Sequence, residues 1–230
     1  MLTSLLEPTP DQTFEIGGTY DFAKTAARAA EWQRTGRVEE ACNERFRAFQ
    51  RLAGLLPDDE EVVLAWNHRN TRAALELLHA SAVDHFLIDD FEMSAAMLEL
   101  LLELDPEDHL EGIVLLAFDY VALDERELFD ETIDGVPEKS AARSVLTLWS
   151  AFRREGALPE GALRDFRSRF GLWVEEFTAE EHPADDAYLK DIESERPSLR
   201  AQARELWLRT ENLWARPPDC SGALRAAARG

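Results

Sequence analysis

From Tyr20 to Trp214 the apolar residues of this chain recur at spacings of three and four, which places them on single faces of α-helices. Ala23, Ala26, Ala27 and Ala30 share a face and lead to Gly36, which reads as a helix stop. A second helix runs from about Val38 through Ala41, Phe46, Phe49 and Leu52 to Leu56, ended by Pro57. Asp58 followed by Glu61 has the form of a capping box, and it predicts a helical segment over Val62–Trp66. Thr71 is placed to cap a fresh start at Ala73, whose stripe of Ala74, Leu75, Leu78, Ala82 and Phe86 continues to Asp89-Asp90. Phe91–Leu104 is almost saturated with Leu, Met and Ala, so burial on most sides is expected. Asp105-Pro106 stops that helix and is read as the cap and first-turn proline of the next, Leu110–Leu123. Glu127–Ile133 follows, then a turn at Asp134–Pro137, then Ser140–Arg154 closed by Gly156.

The last third is less regular. Pro159, Pro183 and Pro197 each suit the first turn of a helix, which predicts helices near 160–177, 184–195 and 197–215. Residues 1–19 carry Pro8, Pro10 and Gly17-Gly18, and read as an extended lead-in with little structure of its own. Residues 216–230 have few groups to bury and read as a mobile tail. No run of alternating β-branched residues bounded by turn signals occurs, so a sheet is not expected. The expected class is all-α, with a single helical domain of about nine helices over 20–215.

Consecutive helices of about fourteen residues on short connections suggest hairpins stacked into an α-solenoid. Small Ala82, the two-acid turn Asp89-Asp90, aromatic Phe91, packing positions Leu98 and Leu101, and the ending Leu104-Asp105-Pro106 together resemble one tetratricopeptide repeat. The resemblance is clearest at 75–106 and extends loosely over 26–155. Leu104–Ser140 is similar to divergent repeats of bacterial proteins in that superfamily, although its turn, Leu123-Asp124-Glu125, has no glycine. The resemblance implies an α-α superhelix of stacked hairpins with an irregular C-terminal helical cap, in which Trp207 and Trp214 shield the last open face. It also implies a concave groove lined by the first helices of successive hairpins. With Pro106 at the family's proline position, that groove receives Glu76, His79, Val83 and Phe86, then Ile113, Ala117 and Tyr120. The cationic clamp with which some such repeats hold a C-terminal carboxylate is not matched, because His79, Val83, Ile113 and Ala117 stand at its positions.

Charge narrows the partner. Residues 58–139 hold twenty-three acids against four bases, whereas both flanks are close to neutral. Such a field repels phosphate backbones and anionic lipid, so nucleic acid and membrane are not expected partners. No apolar run approaches a membrane span, and the N-terminus lacks the pattern of a signal peptide, so a cytoplasmic protein is expected. Cys42 and Cys220 are too few for a disulfide framework or a cysteine zinc site. His79 and His85 are six residues apart and diverge on a helix, which disfavours a metal site with Asp84. Glu99 and Glu103 share a face, but no nucleophile or histidine motif accompanies them. No catalytic residue, cofactor or metal is expected.

The expected role is therefore a non-catalytic protein–protein interaction or scaffold module. Its groove, lined by Glu76, His79, Val83, Phe86, Ile113 and Tyr120 and rimmed by acids, would take a basic or amphipathic polypeptide. The alternative is a helical enzyme or small-ligand-binding protein using the acidic middle segment. A third reading has the chain form a homodimer through the tryptophan-rich C-terminal face, if those rings are exposed.

Overall fold

In the computed structural model, which describes residues 5–57, 60–214, 216 and 219–228, the apolar stripes become α-helices. Among the described residues the chain is all-α apart from one short hairpin near its start. Its packing divides into two compact units, Met1–Asp119 and Tyr120–Gly230, where the sequence reads as one domain.

The first unit begins with β1 (Leu6–Pro8) and β2 (Phe14–Ile16), paired antiparallel with Leu6 opposite Ile16. The lead-in is extended as expected, but the expectation that it has little structure of its own is corrected here. Ile16 is buried, its amide donates to Thr71 Oγ1 at 2.8 Å, and the hairpin becomes part of the unit's core. The expected helix over Val62–Trp66 is also absent. Phe14 N donates to Val63 O, Ala65 N to Phe14 O and Leu64 N to Leu104 O, so this stretch lies extended beside β2. Val62 and Leu64 alternate inward, a period of two hidden within a helical sequence. Asp58, half of the supposed capping box, lies outside the described residues.

Four helices follow the hairpin in this unit: α1 (Phe22–Arg34), α2 (Val38–Ala53), α3 (Arg69–Leu87) and α4 (Phe91–Leu104). The Asp21 carboxylate accepts from Lys24 N at 2.8 Å and caps α1. Thr71 lies inside α3 rather than before it, because its hydroxyl serves β2 and His68 instead of a helix end. Each of these helices packs against its successor, and α1 also packs against α3. Ala74, Ala82 and Ala95 are buried at the contacts, and their small size lets the backbones approach. Leu75, Leu78, Leu98 and Leu101 fill the remaining space, each contributing roughly 1.5–3 kcal/mol of burial.

The turns between helices are tight. Gly36 (φ 78°) joins α1 to α2 and Asp89 (φ 68°) joins α3 to α4. The division between the units falls within α5 (Gly112–Leu123). Asp108, not Asp105, caps α5, accepting from Gly112 N at 2.6 Å. The Asp105 carboxylate instead holds the His109 ring and backbone amide, and that ring stacks on Trp66 at 4.4 Å.

The second unit contains α6 (Arg126–Thr132) with a 3-10 turn after it, α7 (Ala141–Glu155), α8 (Glu160–Arg169), α9 (Gly171–Thr178), α10 (Asp186–Ile192), α11 (Leu199–Trp214) and α12 (Cys220–Ala228). Asp124 (φ 62°) supplies the left-handed residue of the α5–α6 turn, which explains how that turn does without glycine. The single helix expected over 160–177 is broken at Phe170 into α8 and α9. The tail is corrected as well, since α12 buries Cys220, Ser221 and Leu224.

Packing here is not sequential: α9 lies against α8, α11 and α12. Trp207 and Trp214 are 6% and 5% exposed, and they form the centre of an aromatic core with Trp149 and Phe177. They present no exposed aromatic face of the kind the dimer reading called for.

Candidate functional site

The predicted groove residues separate into two groups. Glu76, His79 and Val83 lie on one face of α3 and remain partly accessible, with Glu76 paired to Arg72 at 2.8 Å. Ile113 on α5 is also partly accessible. Phe86 is fully buried against Phe91, and Tyr120 is buried too, so neither offers a surface to a ligand. Phe86 continues the apolar stripe, but at the end of α3 that stripe turns inward to meet the start of α4.

A different surface of the first unit stands out, at the tips of its two helical hairpins. Arg45 on α2 grips Asp84 on α3, and the Phe46 and His85 rings lie 5.5 Å apart. At the other end of α2, Arg51 lies over Tyr20, whose carbonyl accepts from Asn70 at the start of α3, so the two helices run antiparallel and the first turn of α2 lies at the end where α3 finishes. Val38 opens α2 at 54% exposure, and Leu87 and Ile88 close α3 at 46% and 71%. Met93, in the first turn of α4, is 37% exposed. Large apolar side chains are thus left in water at both tips. Their sequence neighbours are Glu39, Glu40, Asp89, Asp90 and Glu92, with no base in 38–40 or 87–93. Arg37, just before α2, is held by Glu40 at 2.9 Å and lies over Trp32.

The tips are also well ordered internally. His85 Nδ1 meets Asp90 Oδ2 at 2.9 Å, and the Asp90 amide donates to His85 O. Thr35 Oγ1 donates to Glu31 O at 2.8 Å, and Arg37 N donates to Trp32 O. The apolar side chains are therefore displayed from fixed turns rather than from loose loops. The sequence signal was present in Leu87-Ile88, which interrupts the polar residues of a turn. Leu87 and Ile88 stand outside the stripe that ends at Phe86, and sequence spacing alone gives them no role.

Among the described residues, no group of three or more His, Cys, Asp and Glu side chains is placed to hold a metal. His85 is engaged with Asp90, and Asp84 with Arg45. Burial pushes the Cys220 thiol up to about 12, with the neighbouring Asp219 adding to the effect. Such a thiol stays protonated and packs as a small hydrophobe. No helix of the described residues is long and apolar enough to cross a membrane. Comparisons of the chain with protein-family models, with curated proteins and with solved structures gave no match.

Proposed function

We propose that this chain is a non-catalytic, cytoplasmic binding module whose first unit docks a polypeptide segment carrying both basic and large apolar side chains. The observation that carries this reading is the hairpin tips, where Val38, Leu87, Ile88 and Met93 are exposed and Glu39, Glu40, Asp89, Asp90 and Glu92 are their sequence neighbours. Apolar side chains displayed together from ordered turns suit burial by a partner. The acids favour a cationic partner and disfavour an anionic one, and they raise the encounter rate. The unit as a whole has twenty-four acids against nine bases, which extends the same preference beyond the contact itself. The packing of α1 on α2 and α3, of α2 on α3 and of α3 on α4 is the order that stacked hairpins of tetratricopeptide type produce.

Selection from a displayed random-peptide library, at low and high salt, tests the reading. Wild-type protein should enrich peptides in which Lys or Arg accompanies Leu, Ile or Phe, and enrichment should weaken at high salt. The double variant Ile88→Asp, Met93→Asp should lose it while melting at the wild-type temperature. Peptides selected equally by that variant, or peptides without a basic bias, would overturn the assignment.

A further inference from the structure

In the second unit no residue from Thr178 to Arg200 is buried, the longest such stretch among the described residues. It contains the short helix α10, and over 180–197 it carries seven acids against two bases. A segment of this kind has little apolar surface to lose on leaving the protein, and charged groups that water solvates well. Both of its ends are nevertheless fixed. Ala179 O accepts from Arg225 Nη2 at 3.0 Å, and Ser198 Oγ caps α11 by accepting from Ala201 N at 3.1 Å.

Between those ends the segment is held to α9 and α11 mainly by polar contacts. The His182 ring lies flat on Trp207 with centroids 4.0 Å apart, and its Nε2 donates to Glu176 O at 2.7 Å. Pro183 O accepts from Arg204 Nη1 at 3.0 Å, and the Tyr188 hydroxyl donates to Glu205. Each charged group in these contacts has a second partner outside the segment, Glu176 for Arg204 and Arg209 for Glu205. Lifting the segment therefore leaves no buried charge unpaired, the cost that keeps most such contacts shut. What it covers is apolar, since Trp207 otherwise packs on Phe177 and Trp214 in the aromatic core.

We infer that residues 180–197 form a strap that opens as one unit while the rest of the second unit stays folded, with His182 as its shutter. Closed, the strap seals Trp207 into the core. Open, it uncovers one face of that indole. Tyr188 is the latch, because its hydroxyl joins α10 to α11 from the middle of the strap. The device is independent of the hairpin-tip surface in the first unit, and either assignment stands without the other.

Amide hydrogen exchange on the full chain tests the strap. Peptides over 186–193 should exchange through an opening insensitive to low urea, whereas the middles of α9 and α11 exchange only on unfolding. Tyr188→Phe removes one bond to a charged acceptor while Glu205 keeps Arg209. It should speed exchange over 186–193 about tenfold and leave α9 and the melting temperature unchanged. A lysine-specific protease tests the shutter. The chain has three lysines, Lys24, Lys139 and Lys190, so the variant Lys24→Arg, Lys139→Arg leaves a single cut, inside α10. Under native conditions that cut should occur, preserve the helical circular dichroism and raise acrylamide quenching of the tryptophans. Exchange over 186–193 only through global unfolding, an unchanged rate in Tyr188→Phe, or resistance of Lys190 to the protease would each overturn the strap. Unchanged quenching in the cut protein would overturn the shutter.

Discussion

Arg45 on α2 and Asp84 on α3, thirty-nine residues apart in sequence, form a bidentate ion pair with Nε–Oδ2 and Nη2–Oδ1 distances of 2.6 and 2.7 Å. The same guanidinium donates through Nη1 to Gln33 Oε1 at 2.9 Å, so one side chain ties three helices together. The Arg45 side chain is only 8% exposed and that of Asp84 18%. Removing one partner leaves the other charge buried without compensation. Arg45→Met or Asp84→Ala should therefore cost about 3 kcal/mol in urea unfolding. The double variant Arg45→Met, Asp84→Leu should recover most of that loss. A double variant no more stable than the singles would show that the pair is needed for more than charge balance.

Asp119 gives the first unit a stability that falls as pH rises. Its carboxyl is fully buried, and burial pushes its pKa up to about 8, against the opposing effect of Ser94, whose hydroxyl donates to Oδ2 at 2.8 Å. The other oxygen, Oδ1, has no partner. Because the folded-state value lies above the unfolded value of 3.8, the contribution is fully present below about pH 4 and is lost as pH climbs towards 8. The slope in that window is at most about 1.4 kcal/mol per pH unit. Urea midpoints at pH 6 and pH 8 should differ in the wild type, with the lower pH more stable. Asp119→Asn should remove most of that difference, and an unchanged difference would assign it to other groups.

Much of the helical pattern was legible, because an amphipathic stripe is a local signal. Phe91–Leu104 coincides with α4, and Ser140 and Gly156 cap α7 as their residue types suggest. What escaped the sequence was made by distant partners. Val62–Ala65 became extended because Phe14 and Leu104 supply its backbone bonds. Asp84 looked like a neighbour of His79 and His85, yet its partner Arg45 lies on another helix. The carboxy-terminal segment has few large apolar residues, but α9 and α7 give it something to pack against. The groove was inherited from a resemblance, and the hairpin-tip surface was hidden because exposure is a tertiary property that an apolar residue's identity does not reveal.

Gly36 is required by conformation and not by space. It sits at φ 78° between α1 and α2, and a Cβ added there would meet nothing within 4 Å. Gly36→Ala should therefore cost about 1 kcal/mol through backbone strain alone. Gly36→Asn, which tolerates the left-handed region better, should cost less. Chemical denaturation of the two variants checks the order. Equal losses would point to some effect of side-chain bulk in place of φ.

Asn70 decides whether the amino-terminal hairpin stays docked. Its Oδ1 accepts from Phe22 N at 2.7 Å, and its Nδ2 donates to Ile16 O and Tyr20 O, each at 3.2 Å. One amide thus holds the chain at three points between β2 and α1, where Gly17-Gly18 would otherwise leave it loose. Only a side chain with both a donor and an acceptor can do this. Asn70→Ala removes all three bonds and should cost about 2 kcal/mol. Asn70→Asp keeps the bond to Phe22 N but turns a carboxylate oxygen towards the two carbonyls, so it should not rescue the loss. Amide hydrogen exchange gives the sharper reading. In Asn70→Ala the Ile16 and Gly17 amides should lose protection, while those in the middle of α3 and α4 keep theirs. Uniform loss across the unit would mean that the hairpin is inseparable from the helices, and that the clamp stabilises the whole first unit rather than its leading segment.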